Sequence, residues 1–255
     1  MNLTSILIFM ELLLTPFYNP LIAQRNLEIS AASYCQDIES WNCVHCIQDV
    51  ELIKVLHGES NVIIANDKVQ NSTVVAFRGS SNIDNWISNF QAEFTEPYTD
   101  KNIKVHKGLH NEYLLYKDEL FEAIDPKNKI VVTGHSSGGA LAVFFAYDLL
   151  QRNITNVSVY SFGKPRIGND KFVESTQNLV HFRITHDQDI VPHLPEEVLG
   201  YKHTNTEIWY KDDMDYTVCY ENEDNSCSNS CAPIHCISTK DHLRYLGINI
   251  GSESC

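Results

Sequence analysis

Residues 129–150 read KIVVTGHSSGGALAVFFAYDLL. The start of this stretch, 130–133, is β-branched and apolar, the composition of a buried strand. From 138 to 152 apolar residues recur at three and four, the period of a helix packed against a core. Only Gly134-His135-Ser136-Ser137-Gly138 lies between them. Such residues interrupt regular structure more often than they join it. Their position therefore points to a turn that passes directly from strand to helix with a hydroxyl at its tip.

The surrounding sequence supplies the context for that turn. Further strands are predicted at 61–65, 72–77, 157–162, 180–185 and 206–210, runs rich in Val, Ile and aromatic residues. Helices are predicted at 107–123 and 169–175 beside the one at 138–152. No repeat, low-complexity run or linker divides the chain. Short buried strands alternating with helices predict a single α/β domain with a largely parallel central sheet. In that setting Gly134-x-Ser136-x-Gly138 has the form of the nucleophile elbow of an α/β-hydrolase. The Ser sits on a strained turn, the flanking glycines let strand and helix approach, and the helix start aims free N–H groups at the reacting centre.

Composition bounds the rest. The 255 residues carry 33 acidic and 19 basic side chains, a formal charge of −14. That balance disfavours nucleic acid and anionic membrane surfaces as partners, since both select basic patches. Ser5 to Leu14 is almost wholly apolar, too short to span a bilayer, and is followed by Pro16 and Pro20. This reads as a secretory leader, residues 1–24, cut near Ala23 or Gln24, with a single domain over 25–255. All eight cysteines lie beyond it, and Cys43-Val-His-Cys46 is the only CxxC, so no paired zinc knuckle is present. An even set of cysteines, four of them crowded at 219–236, fits disulfides of an oxidising compartment. Asn71, Asn153 and Asn156 head glycosylation sequons that suit the same route.

A serine nucleophile in this fold is followed along the chain by an acid and then a histidine. The strand at 180–185 leads into HDQDIVPHLP, which offers Asp187 and Asp189. His193, His203, His235 and His242 follow as possible bases. His193 lies too near Asp189 in sequence to flank Ser136 from the other side easily, and spacing leaves the pair open.

The ordered segments VVAFRGSSNIDNWISNF, VHKGLHNEY, VVTGHSSGGALA, SFGKPRIGN, RITHDQDIVPHLP, EIWY, CSNS and DHLRYLGINIG resemble the class 3 lipases, and most closely the secreted triacylglycerol lipases of filamentous fungi. The resemblance extends from Ser30 to Cys255. It implies Ser136 as nucleophile, Asp189 as triad acid in preference to Asp187, and His242 as base. Ser80 would supply an oxyanion-hole N–H beside that of Ser137. Residues 82–90 would form a lid helix, with Trp86 over the closed site. Disulfides Cys35–Cys255, Cys43–Cys46 and Cys219–Cys227 are implied, leaving Cys231 and Cys236 as a fourth pair. Two positions depart from the family pattern: Ser137 stands where Leu is usual, and Asn89 where several relatives carry Asp.

Within 82–90 the apolar residues Ile83, Trp86, Ile87 and Phe90 recur at three and four, so one face of the helix is apolar. Such a face either packs on the core or, as a lid, covers Ser136 and turns toward lipid when open. The reading expects a secreted, monomeric ester hydrolase that meets a membrane or lipid-droplet surface transiently and needs no metal or cofactor. Rival readings on the same fold are a phospholipase A1, a feruloyl-type esterase, or an inactive lipid-binding relative. A disulfide-rich surface module fits the tail but not the elbow.

Overall fold

The computed structural model describes residues 17–204, 206–232 and 234–255. Its sheet has eight strands in the order β1-β2-β3-β6-β7-β8-β9-β10. The strands are β1 (Val50–Leu56), β2 (Val62–Asp67), β3 (Ser72–Phe77), β6 (Ile130–His135), β7 (Val157–Phe162), β8 (Val180–His186), β9 (Glu207–Tyr210) and β10 (Tyr216–Cys219). β4 (Phe94–Thr95) and β5 (Val105–His106) form a separate two-stranded ribbon. From β3 to β9 the neighbours are parallel; β1, β2 and β10 extend the sheet antiparallel at its two edges.

Parallel strands covered on both faces read as unbroken apolar runs. All six residues of β3 and of β6 are buried accordingly. Successive residues serve opposite cores. Val75, Phe77 and Val132 pack with Phe144 and Phe145 on one side, while Val74, Ala76 and Val131 pack with Leu27, Phe162 and Tyr245 on the other. Two edge strands escaped the sequence reading. β1 carries Glu51 and Lys54, and a register shift between Leu52 and Lys54 breaks its alternation. β10 is short and largely unburied.

The helices are α1 (Pro20–Ala32), α2 (Ile83–Asn89), α3 (Lys107–Leu114), α4 (Lys117–Ala123), α5 (Ser137–Gln151), α6 (Asp170–Ser175) and α7 (Thr239–His242). α5 is apolar all round, and every residue from Ser137 to Leu149 is buried, as a core helix requires. The single helix predicted over 107–123 is two. Between them Tyr116 turns inward, donating to the Ser60 carbonyl at 2.7 Å and accepting the Ser60 N–H at 2.9 Å.

α1 was not foreseen. Asn19 caps it by accepting the Leu21 and Ile22 N–H groups, and Pro20 occupies its first turn, where a proline is tolerated. Ala23 and Leu27 are fully buried, and the Tyr18 hydroxyl lies 3.0 Å from that of Tyr210. Cleavage near Ala23 or Gln24 would therefore remove the first turn of a packed helix. The apolar run 5–14 lies outside the described residues. Disulfides join Cys35 to Cys255, Cys43 to Cys46, Cys219 to Cys227 and Cys231 to Cys236. The first links positions 220 residues apart, a closure worth about 5 kcal/mol in the chain-entropy account. Asn71, Asn153 and Asn156 are exposed.

Several histidines are buried in the neutral form. His106 caps α3, its Nδ1 accepting the Leu109 N–H at 3.2 Å, a bond that protonation would abolish. Burial pushes His106, His110 and His193 down to about 4 from the ordinary 6.5. Between these values the unfolded chain binds more protons than the folded one, so stability is full above pH 6.5 and falls toward pH 4. Urea midpoints measured from pH 7.5 to 4.5 are expected to decline mainly below 6.5. A flat profile across that window would contradict the neutral burial of these rings.

Candidate active site

The turn between β6 and α5 is as tight as its sequence suggests. Ser136 has φ 59° and ψ −132°, a backbone region that costs a non-glycine residue about 1–3 kcal/mol and persists only when the surroundings impose it. Here they do. A Cβ on Gly134 would lie 2.4 Å from the Gly138 carbonyl, and one on Gly138 would lie 2.2 Å from the Phe77 carbonyl oxygen. No side chain fits at either position. The Ser136 N–H donates to the Phe162 carbonyl at 2.8 Å, which anchors the turn to β7.

Of the acids and bases left open by spacing, Asp189 and His242 are the pair brought together. His242 Nδ1 lies 2.9 and 3.0 Å from the two carboxylate oxygens of Asp189. An isolated bridge between Asp189 and Ser238 and the Ser238 N–H to Gln188 carbonyl bond, 3.0 Å, bind their two loops together. Asp187 is partly exposed and makes no side-chain hydrogen bond among the described residues. His203 instead donates Nε2–H to the Pro192 carbonyl at 2.7 Å, and His235 is exposed.

Ser136, Asp189 and His242 are 1%, 2% and 0% exposed. The Asp189 carboxylate also accepts the Val191 N–H at 2.8 Å and the Tyr245 hydroxyl. With Nδ1–H directed at a carboxylate, the imidazole presents Nε2 as its basic atom. His242 Nε2 and Ser136 Oγ are each buried without a hydrogen-bond partner among the described residues. Apo sites commonly hold such a pair loosely until substrate aligns it. A buried hydroxyl that reaches a carboxylate-oriented imidazole can attack an acyl carbon and pass on its proton.

Three contributors went unread in the sequence. Tyr245 donates to Asp189, as above. His135 donates Nε2–H to the main-chain carbonyl of His242 at 2.8 Å. That assignment leaves its Nδ1 to accept the Tyr34 hydroxyl at 2.8 Å, while the Tyr34 oxygen accepts the Gly79 N–H at 3.0 Å. Burial, and secondarily His242, holds the His135 pKa well below the imidazole range, so the neutral tautomer persists. Gly163 passes behind the pair at φ 59°, where a Cβ would meet Asp189, His242 and Tyr245 within 2.9 Å. Tyr245 and Gly163 lie within the segments DHLRYLGINIG and SFGKPRIGN, but only the tertiary fold gives them partners.

Ser80 and Ser137 are also adjacent: the Ser80 N–H donates to Ser137 Oγ at 3.1 Å. Ser137 opens α5, so its own N–H lies in the first turn, where intrahelical acceptors are lacking. α2 follows Ser80, capped by Asn82, whose side chain accepts the Asn85 N–H at 3.0 Å. Ile83, Trp86, Ile87 and Phe90 are half-buried, while Asp84, Asn85, Ser88 and Asn89 are exposed. Trp86 stacks near Phe90, 4.4 Å between centroids, and Phe90 on His106 at 4.6 Å. Asn89 bonds back to the Asn85 carbonyl rather than to Ser80.

Known proteins resemble this chain in sequence and fold. Residues 74–199 match the model of the class 3 lipase family. The chain is 36% identical to a lipase of Rhizomucor miehei over 247 residues, spanning 88% of this chain and 67% of that protein. It is 33% identical to a lipase of Rhizopus niveus, spanning 88% of this chain and 62% of that one. It thus covers about two thirds of the length of these relatives. A solved triacylglycerol lipase, described as having a serine-protease triad for its catalytic centre, superposes with a TM-score of 0.81 at 34% identity, over 90% of this chain and 95% of that one. With its α/β-hydrolase sheet, its Gly-x-Ser-x-Gly elbow and these relatives, the chain belongs to the class 3 lipase family.

Proposed function

We propose that the protein hydrolyses the ester bonds of acylglycerols at a lipid–water interface through a Ser136–Asp189–His242 triad. The observation that carries this reading is a strained, buried Ser136 whose neighbour His135 bonds to the main chain of His242, an imidazole held by a buried carboxylate. His242 takes the Ser136 proton as Oγ attacks the ester carbonyl, and Asp189 holds the tautomer and stabilises the imidazolium. The tetrahedral oxyanion lies between the Ser80 and Ser137 N–H groups, and losing one such donor costs about 10²–10³ in rate. His242 then protonates the departing alcohol, and water releases the acyl group by the same route. The chemistry asks for no metal or cofactor.

The near-complete burial of Ser136 supports a closed state in which α2 is the lid. A 380 Å³ cleft beside Trp86, Phe90, His106 and Lys107 is not lined by Ser136, Asp189 or His242. Opening would withdraw the apolar face of Ile83, Trp86, Ile87 and Phe90 and present it to lipid. Four disulfides and three exposed sequons support export and glycosylation. The packing of α1 argues that any leader is removed upstream of Tyr18.

Two measurements test the chemistry. Hydrolysis of a short-chain ester is expected to rise sharply once it exceeds its solubility limit, and to be strongest on emulsified triglyceride. Ser136→Ala should lower every such rate by on the order of 10⁶-fold. A phosphatidylcholine rate above the triglyceride rate would instead favour a phospholipase A1, and no jump at the interface would remove the lid. Tyr245→Phe withdraws a donor from the Asp189 carboxylate, a bond of roughly 1.5–3 kcal/mol. With one donor fewer the carboxylate holds the imidazole less firmly, so kcat/KM is expected to fall about tenfold while KM stays within about twofold. An unchanged kcat/KM in the folded variant would contradict a Tyr245 role in holding the acid.

A further inference from the structure

Ser137 directly follows Ser136 in the elbow, and its hydroxyl lies against the loop that bears Ser80. Its Oγ accepts the Ser80 N–H at 3.1 Å, and the side chain is 2% exposed. A hydroxyl has one proton to give besides the lone pairs that accept. Among the described residues no acceptor takes the Ser137 proton. Ser136 Oγ, one residue away, is buried and has no partner among the described residues. The Ser80 N–H therefore fixes the lone-pair side of the Ser137 hydroxyl and leaves its proton free in a buried site.

We propose that the Ser137 hydroxyl is a third donor to the oxyanion, in addition to the two N–H groups. This rests on the reading of Ser136 as the nucleophile. The negative oxygen forms against the first turn of α5, where the Ser137 N–H already points. A short rotation about the Ser137 side-chain bond turns its proton onto that oxygen. As the hydroxyl turns, the Ser80 N–H is released from Ser137 Oγ and shifts to the oxyanion. A hydrogen bond to an ionised acceptor is about twice as strong as a neutral one. The contribution is greatest in the transition state, because the ground-state carbonyl oxygen is a weaker acceptor. The hydroxyl accordingly acts on turnover and not on substrate affinity.

The test compares wild type with Ser137→Ala, Ser137→Thr and Ser136→Ala on a soluble short-chain p-nitrophenyl ester, with melting temperatures measured alongside. Ser137→Ala is expected to lower kcat by roughly ten- to a hundredfold with KM within about twofold. Inhibition by an aryl boronic acid, whose adduct on Ser136 carries a tetrahedral anion, should weaken by a similar factor. Ser137→Thr keeps a hydroxyl and should recover most of the loss; should the Ala variant fold poorly, the boronate affinity of the Thr variant relative to a Ser137→Val isostere carries the same comparison. A kcat that is unchanged or raised in Ser137→Ala would overturn the proposal, leaving the hydroxyl as a cap on Ser80. A fall in kcat without weaker boronate binding would overturn it too. Turnover persisting in Ser136→Ala would show instead that the reading of the nucleophile had failed.

Discussion

A serine hydroxyl can be held out from a protein core only if the backbone on both sides of it comes closer than side chains allow. Between β6 and α5 that closeness is absolute: a single carbon on Gly134 or Gly138 would sit 2.2–2.4 Å from main-chain atoms. The left-handed conformation of Ser136 is the consequence. Its strain is borne by a fully buried helix on one side and fully buried parallel strands on the other. The core is therefore part of the site, because a looser β6–α5 contact would let the turn relax and withdraw the hydroxyl.

The remaining groups arrive from distant parts of the chain, and hydrogen bonds set their positions. His135, on the elbow itself, bonds to the His242 carbonyl and to Tyr34, which in turn holds Gly79. One neutral imidazole thus ties the Ser136 turn, His242, the end of the N-terminal helix region and the loop bearing Ser80. The Cys35–Cys255 bridge begins one residue after Tyr34 and closes the C-terminal segment onto the same region. Asp189, buried in the core, depends on His242, Val191 and Tyr245 to satisfy its charge. A buried carboxylate with fewer partners would be costly, so these donors and the acid form one unit.

Much of this was legible in the sequence. Parallel strands covered on both faces are continuous apolar runs, and 72–77 and 157–162 coincide with β3 and β7. The elbow was legible because its glycines, serine and flanking periods all point one way. Spacing alone did not separate Asp189 from Asp187, or His242 from three other histidines; the resemblance to a family did. What stayed hidden depends on contacts between residues far apart in the chain. Tyr34, His135 and Tyr245 look like ordinary core residues until the fold brings them 101 and 56 positions across to their partners. α1 was masked by the apolar leader-like run before it. β1 was masked by charged residues on a bulged edge.

We propose that the strained elbow and the Asp189–His242 pair are already in place, and that α2 and the Ser137 hydroxyl, which now takes the Ser80 N–H, are what must move. A crystal structure of the protein after reaction with a long-chain alkyl phosphonate tests it most directly. The expected result is phosphorus on Ser136 Oγ, its oxygen between the Ser80 and Ser137 nitrogens, α2 displaced, and the Asp189–His242–Tyr245 and Tyr34–His135 bonds unaltered. A phosphonate attached elsewhere, or one accommodated on Ser136 with α2 still closed or the elbow rebuilt, would contradict it.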